Sequence, residues 1–308
     1  MTLTFIFPGQ GCHFIGMGKH FFDNRAIYTE LFEEASDILG YDLKRLCLDG
    51  PVSELNKIDN MLCAIFTANV GIYNVFHSEY GIIPTYMAGH SLGEYSALVC
   101  AGAMGFGDSL NIIRQRARIM EAVKGGSMTV VENLPYQITE GICQRLCTES
   151  HWAGIACYNS ENQCVISGHS QALRHIGDFL VKAGAKLTPL LNSPPAHSPL
   201  MRMTEDMLRR LLSSIEIRTP AATVISNTDA SPYDGRLSIA DKLSRQLSSP
   251  VQWIKTIDYI IASGVKHAIE FGPQKTLGMF RSDSGKGLKI YAYSQKQDRE
   301  LIGGLLNE

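Results

Sequence analysis

Apolar and polar positions along this chain keep two periods, close to two and close to 3.6 residues, and the switches between them outline a mixed α/β protein. Residues 2–7 (TLTFIF) are a β-branched and aromatic run that stops at Pro8-Gly9, which predicts a buried first strand followed by a loop. The segment 24–40 has helical spacing and ends at Gly40, and the long apolar segment 61–81 predicts a central helix. Residues 84–91 (PTYMAGHS) read as a strand running into a turn, 91–104 as a helix, and 106–126 as a second helix stopped by Gly125-Gly126. The texture then changes. GSMTVVEN, PYQITEGICQRLCTES, WAGIACYN, QCVISGH, SQALRHIGDFLVKAG and AKLTPLL follow as strand, helix, strand, strand, helix, strand. That βαββαβ order predicts a ferredoxin-like unit over 127–191, inserted into a larger α/β unit made of 1–126 and 192–308. Beyond it, 197–215 and 239–264 read as helices, the second broken near Pro250, and 221–227 and 265–272 as strands. Residues 281–289 read as a surface loop.

Composition narrows the classes of function. With 308 residues, 45% of them hydrophobic, the chain is long enough to bury a sizeable core. Lys and Arg number 28 against 30 Asp and Glu, a net charge of −2, so no basic field favours nucleic acid or an anionic membrane. Any anionic ligand must be met by a few placed cations. The eight cysteines sit mostly in apolar runs, and the closest pair, Cys143 and Cys147, lacks a CxxC partner set. Reduced core thiols and no metal site are the expectation. The start lacks the basic region and the apolar length of a signal peptide, and no apolar run reaches the ~18–20 residues of a membrane span. The expected setting is the cytoplasm.

Candidate chemistry gathers at 88–102, AGHSLGEYSALVCAG. Gly89-His90-Ser91-Leu92-Gly93 fits G-x-S-x-G. A nucleophile at a sharp strand-to-helix turn is pushed into a cleft, and glycines two before and two after let strand and helix approach. The following helix aims free N–H groups at the same spot, so the N–H of Leu92 is available to a tetrahedral oxyanion. A serine needs a base. Of the nine histidines, His90 neighbours the serine but its side chain is expected to point away on a sharp turn. His13 and His197 remain, the latter in the Pro- and Ser-rich loop NSPPAHSPLM, and the residues alone leave that choice open.

Six segments recur together in a known order: FPGQG (7–11), GHSLGEYSALVCAG (89–102), RQRARIM (114–120), PPAHSPLM (194–201), SSPVQW (248–253) and EFGPQKTL (270–277). They resemble malonyl-CoA:acyl-carrier-protein transacylases, including discrete acyltransferases that serve polyketide synthases in trans. The resemblance runs from about residue 3 to 290. It implies an α/β-hydrolase-like large domain with a ferredoxin-like insert, and a serine–histidine dyad of Ser91 and His197. It also implies an oxyanion hole from the backbone N–H groups of Leu92 and His13, supported by Gln10 and His90. A backbone carbonyl, matched here to Gln252, would orient the histidine. Arg116 would hold the malonyl carboxylate, which a planar guanidinium grips in a fork. Helical geometry agrees, since Arg116 points nearly opposite to both Arg114 and Arg118.

The implied reaction moves malonyl from CoA to the phosphopantetheine thiol of an acyl carrier protein, with no cofactor, in a monomeric enzyme. An acyl hydrolase that clears stalled chains, or a transferase for an unusual acyl unit, is the alternative. Arg116 favours the transferase. Departures from the family pattern touch the pocket wall: GQGCH where GQGSQ is usual, Leu62 for a glutamine, Cys157 for an asparagine, and Pro195-Ala196 before His197.

Overall fold

The computed structural model describes residues 2–190, 193–280 and 287–306. Two sheets organise it. The first has five parallel strands: β1 (Leu3–Phe7), β2 (Tyr86–Gly89), β7 (Thr223–Ile225), β8 (His267–Glu270) and β9 (Lys289–Ala292), in the order β7-β2-β1-β8-β9. β1 is central and all five of its residues are buried, which is why it reads as a continuous apolar run rather than an alternating one. Its Phe5 and Phe7 pack with Tyr73 and Phe271. Tyr73 comes from the helix Ile58–Tyr80, buried on nearly every face.

The second sheet is antiparallel. Its strands are β3 (Gly126–Glu132), β4 (Ala153–Ser160), β5 (Gln163–His169) and β6 (Lys186–Leu190), ordered β4-β5-β3-β6. Helices Tyr136–Leu146 and Ser170–Lys182 complete the βαββαβ order and enclose a separate small core around Val131, Ile142, Ile166 and Ile176. β4 is tied to the large part by Tyr158 N–H to the Val251 carbonyl (3.0 Å) and Val251 N–H to the Ala156 carbonyl (2.8 Å).

Several expectations shift in detail. The segment 197–215 forms a 3-10 turn, Pro199–Thr204, before the helix Glu205–Ser213. The helical stretch 239–264 is two helices, Gly235–Gln246 and Trp253–Ala262, separated at Pro250. Of the loop expected over 281–289, residues 281–286 lie outside the described residues, and Lys289 already begins β9.

The parallel strands aim their C-terminal ends at one place. β2 leads to Ser91, β1 to Gln10, β7 to Asn227 and β8 to Leu277, as expected for ligand sites of open α/β sheets.

Candidate active site

Ser91 lies two residues past the end of β2 and has φ of 52°, a conformation side chains rarely adopt. The flanking glycines explain how it is tolerated. A Cβ on Gly89 would lie 1.9 Å from the Gly93 carbonyl, and one on Gly93 would lie 2.0 Å from the Phe7 carbonyl oxygen. Strand and helix therefore touch backbone to backbone, and the turn between them is sharp. The Asn227 side chain, two residues past the end of β7, braces it. Its Oδ1 accepts from the Ser91 N–H (2.7 Å) and its Nδ2 donates to the Gly89 carbonyl (2.6 Å).

His197, a full 106 positions later, meets the serine: Ser91 Oγ and His197 Nε2 are 2.7 Å apart. His197 is 3% exposed and itself has a positive φ of 58°. Its Nδ1 lies 2.9 Å from the backbone carbonyl oxygen of Gln246. A carbonyl only accepts, so Nδ1 carries the ring proton and Nε2 presents its lone pair to the serine hydroxyl. Burial, aided by the Arg116 charge, holds the His197 pKa down to about 3. The imidazole is therefore neutral near pH 7.

That geometry corrects the expectation for Gln252. Its carbonyl accepts from Thr256 N–H (2.9 Å) inside the first turn of the next helix, and its own N–H donates to the Asn227 carbonyl (2.9 Å). The carbonyl that reaches His197 belongs to Gln246, the last residue of the preceding helix, where backbone oxygens lack intrahelical partners. His13 is corrected as well. Gly11 has φ of 104°, and the His13 imidazole pairs with Asn56 Oδ1 at 3.0 Å. Gly9, Gln10 and Gly11 line the cleft and His13 does not. A Cβ on Gly9 would meet the His90 carbonyl oxygen at 2.5 Å, so this loop presses on the serine turn and brings Gln10 beside it. Among the described residues, neither the Gln10 nor the Leu92 N–H is used in an internal hydrogen bond.

The His90 ring reaches the antiparallel sheet, its Nε2 2.9 Å from Asn159 Oδ1. Burial lowers its pKa to about 4. Arg116 is 1% exposed, whereas Arg118 is exposed, so the inward face read from helical geometry is the observed one. Its Nη2 donates to Gln246 Oε1 (3.3 Å), its guanidinium lies over the Tyr95 ring, and its Nε has no acceptor among the described residues. No carboxylate lies within ion-pair distance of it among the described residues. Burial accordingly disfavours its charge, but a guanidinium remains protonated.

Ser91, His197, Arg116, Leu92, Gln10 and His90 line one cleft between the two sheets, with about 980 Å³ of space including its mouth. Leu62, Met120, Met128, Val130, Val165 and Cys157 supply an apolar wall. The loop carrying Leu277 and Phe280 is pinned by buried Glu270, which accepts from the N–H groups of Thr276, Leu277 and Gly278 at 2.7, 2.9 and 3.0 Å.

Three residues were missed in the sequence: Asn227, Glu94 and Gln246. Glu94 is fully buried beneath the serine turn. It accepts from Asn227 N–H (2.9 Å) and the Tyr233 hydroxyl (2.5 Å), and burial raises its pKa against those bonds. A charged residue within the otherwise apolar run of 92–101 was the signal for it, and a polar Ser-Asn pair ending the strand TVISN was the signal for Asn227.

The chain is similar to known proteins along nearly its whole length. The family model described as acyl transferase domain matches residues 4–305. A malonyl CoA-acyl carrier protein transacylase of Bacillus subtilis is 38% identical over 304 residues, covering 98% of this chain and 76% of that protein. One from Escherichia coli strain K12 is 40% identical, covering 89% and 90%. The transacylase structure from Coxiella burnetii superposes with a TM-score of 0.94 at 32% identity, covering 100% of this chain and 98% of that one. A malonyl-transacylase solved in complex with its type II PKS acyl-carrier protein also gives 0.94, at 34% identity and full coverage of both chains. A strained serine paired to a distant histidine, on a chain similar end to end to these enzymes, places this protein in the acyl transferase family, among the malonyl CoA-acyl carrier protein transacylases.

Proposed function

We propose that this chain moves a malonyl group from malonyl-CoA to the phosphopantetheine thiol of an acyl carrier protein, in fatty-acid or polyketide assembly, through an ester on Ser91. One observation carries the choice of acyl group. A buried guanidinium without a carboxylate partner, Arg116, shares the cleft with the Ser91–His197 pair. Burying a charge unpaired is costly, so the site is complete only with an anion, and a malonyl carboxylate is one of fitting shape.

The reaction follows from the atoms. Ser91 Oγ attacks the thioester carbonyl carbon while its proton passes to His197 Nε2. The 2.7 Å contact and the neutral, Nδ1-protonated ring support that role. Charge that develops on the carbonyl oxygen is met by the N–H groups of Leu92 and Gln10, Gln10 replacing His13 in this role. The C–S bond breaks and the CoA sulfur takes the proton from His197. The carrier thiol then gives its proton to His197, its sulfur attacks the ester carbonyl, and the bond to Ser91 breaks as Oγ takes that proton back from His197. The apolar wall keeps water from the ester, which favours transfer over hydrolysis. Residues 127–191 act as an inserted small domain forming one side of the cleft. The enzyme is a cytoplasmic monomer. Among the described residues, no helix is long and apolar enough to cross a membrane.

A panel of malonyl-, methylmalonyl- and acetyl-CoA with a holo acyl carrier protein tests this, scoring transfer against hydrolysis. Malonyl transfer is expected to dominate. Acyl release to water from carrier-bound chains, with no transfer from any acyl-CoA, would support a hydrolase instead.

A further inference from the structure

The side-chain amide of Gln246 touches three parts of the site at once. Its Nε2 donates to the Ser91 backbone carbonyl (2.9 Å) and to Glu94 Oε2, and its Oε1 accepts from Arg116 Nη2 at 3.3 Å. The amide can face only one way. A flipped group would set its oxygen against two acceptors and its NH₂ against a donor-only guanidinium. Gln246 is 1% exposed, Glu94 is fully buried and Arg116 is 1% exposed, so a neutral dipole stands between a buried acid and a buried base. At such depth opposite charges attract strongly, and without a spacer the natural partner of Arg116 would be Glu94.

We infer that the Gln246 side chain is a positioning residue that holds the Arg116 guanidinium open to the cleft and apart from Glu94, so that the substrate carboxylate becomes its counter-ion. The inference rests on the reading of Arg116 as the malonyl clamp. It separates two jobs of one residue: the backbone carbonyl orients His197, and the amide sets acyl selectivity. It also gives the buried Glu94 a place in the site, as the anchor that fixes the amide, itself anchored by Tyr233 and Asn227.

Gln246→Met keeps the side-chain length and the backbone carbonyl but removes both ends of the amide. Steady-state kcat and KM for malonyl-CoA and for acetyl-CoA, each with a holo acyl carrier protein, are the readout. Damage to the dyad or to folding lowers both donors alike, whereas damage to the clamp falls on malonyl-CoA. The expected result is a raised malonyl-CoA KM, with the malonyl-to-acetyl ratio of kcat/KM down by about tenfold or more, the scale of one charge-assisted hydrogen bond. Gln246→Asn serves as the second variant, and as the informative one should the first fail to fold. It keeps a neutral amide but draws it back from Arg116 and Glu94, so the malonyl-CoA KM rises while acetyl-CoA is affected less. Equal losses with both donors in these variants, or an unchanged ratio, overturn the inference. Arg116→Ala beside them separates the two claims. If it keeps the malonyl preference, the clamp itself is rejected. If it loses that preference while both Gln246 variants keep it, only the role of Gln246 falls.

Discussion

Replacing Arg116 by methionine is predicted to cost malonyl transfer and yet to make the protein more stable. The guanidinium is 1% exposed, has one hydrogen bond, to Gln246 Oε1, and leaves Nε without an acceptor among the described residues. Keeping such an ion out of water costs several kcal/mol even after relaxation. Against that stand one hydrogen bond to a charged group, about 1.5–3 kcal/mol, and contact with the Tyr95 ring, about 0.5–2 kcal/mol. Methionine fills much of the same space with no charge to desolvate. The balance favours the variant by ~1–2 kcal/mol, and at about 1.5 °C per kcal/mol for a chain of this length Tm moves up by roughly 2–3 °C. Malonyl transfer moves the other way. Losing a bidentate partner for a buried carboxylate costs about 3–5 kcal/mol, or roughly 10²- to 4 × 10³-fold in kcat/KM. Scanning calorimetry and steady-state kinetics on the same preparations read both. A variant that loses activity and Tm together refutes the reasoning, because Arg116 would then be a structural cation already satisfied by the fold.

Other consequences follow from the same geometry. The His197 pKa is held at about 3, so kcat/KM for malonyl-CoA stays level as pH falls through 6.5, where an ordinary histidine base would fail; a pH–rate profile with an acid limb near 6.5 contradicts this. For stability the sign is fixed by the same depression. His197 and His90, at about 3 and 4, are neutral in the fold and titrate near 6.5 when unfolded, so the unfolded chain binds more protons below 6.5. Stability is full above that pH and declines as pH falls toward 4; thermal melts across pH 4–8 should show the decline, and His197→Gln should make it shallower. Asn227→Ala leaves the Ser91 N–H and the Gly89 carbonyl without partners, at about 1–3 kcal/mol each, and should lower both Tm and kcat. Gly93→Ala drives a Cβ to 2.0 Å from the Phe7 carbonyl oxygen, so soluble folded protein should not be recovered; normal yield and melting would show that strand and helix are not in contact there.

Much of this site could be read from the chain because its parts have local signatures. The serine turn needs glycines at fixed offsets, since backbone meets backbone on both sides, and that demand is visible in five residues. Arg116 was legible because a helix rotates it away from Arg114 and Arg118. His197 was not singled out by its neighbours, because its partnership with Ser91 is made by the tertiary fold. Gln252 and Gln246 show the same limit more sharply. Both carry backbone carbonyls close to a helix end, and only the path of the chain around Pro250 decides which one faces the imidazole. His13 was misplaced because Gly9, Gln10 and Gly11 line the cleft and His13 does not, a difference in loop path that no residue type in GQGCH marks. Glu94, Asn227 and Gln246 converge from three separate segments, and a network of that kind leaves only faint polar marks in apolar surroundings.

The acyl group's resting place is the most direct point to measure. Intact-mass spectrometry after mixing the protein with malonyl-CoA should show one malonyl adduct, absent in Ser91→Ala, localised to the peptide containing Ser91 and discharged on adding a holo acyl carrier protein. An adduct that persists in Ser91→Ala, or an unmodified protein that still transfers malonyl at full rate under single-turnover conditions, would contradict the account.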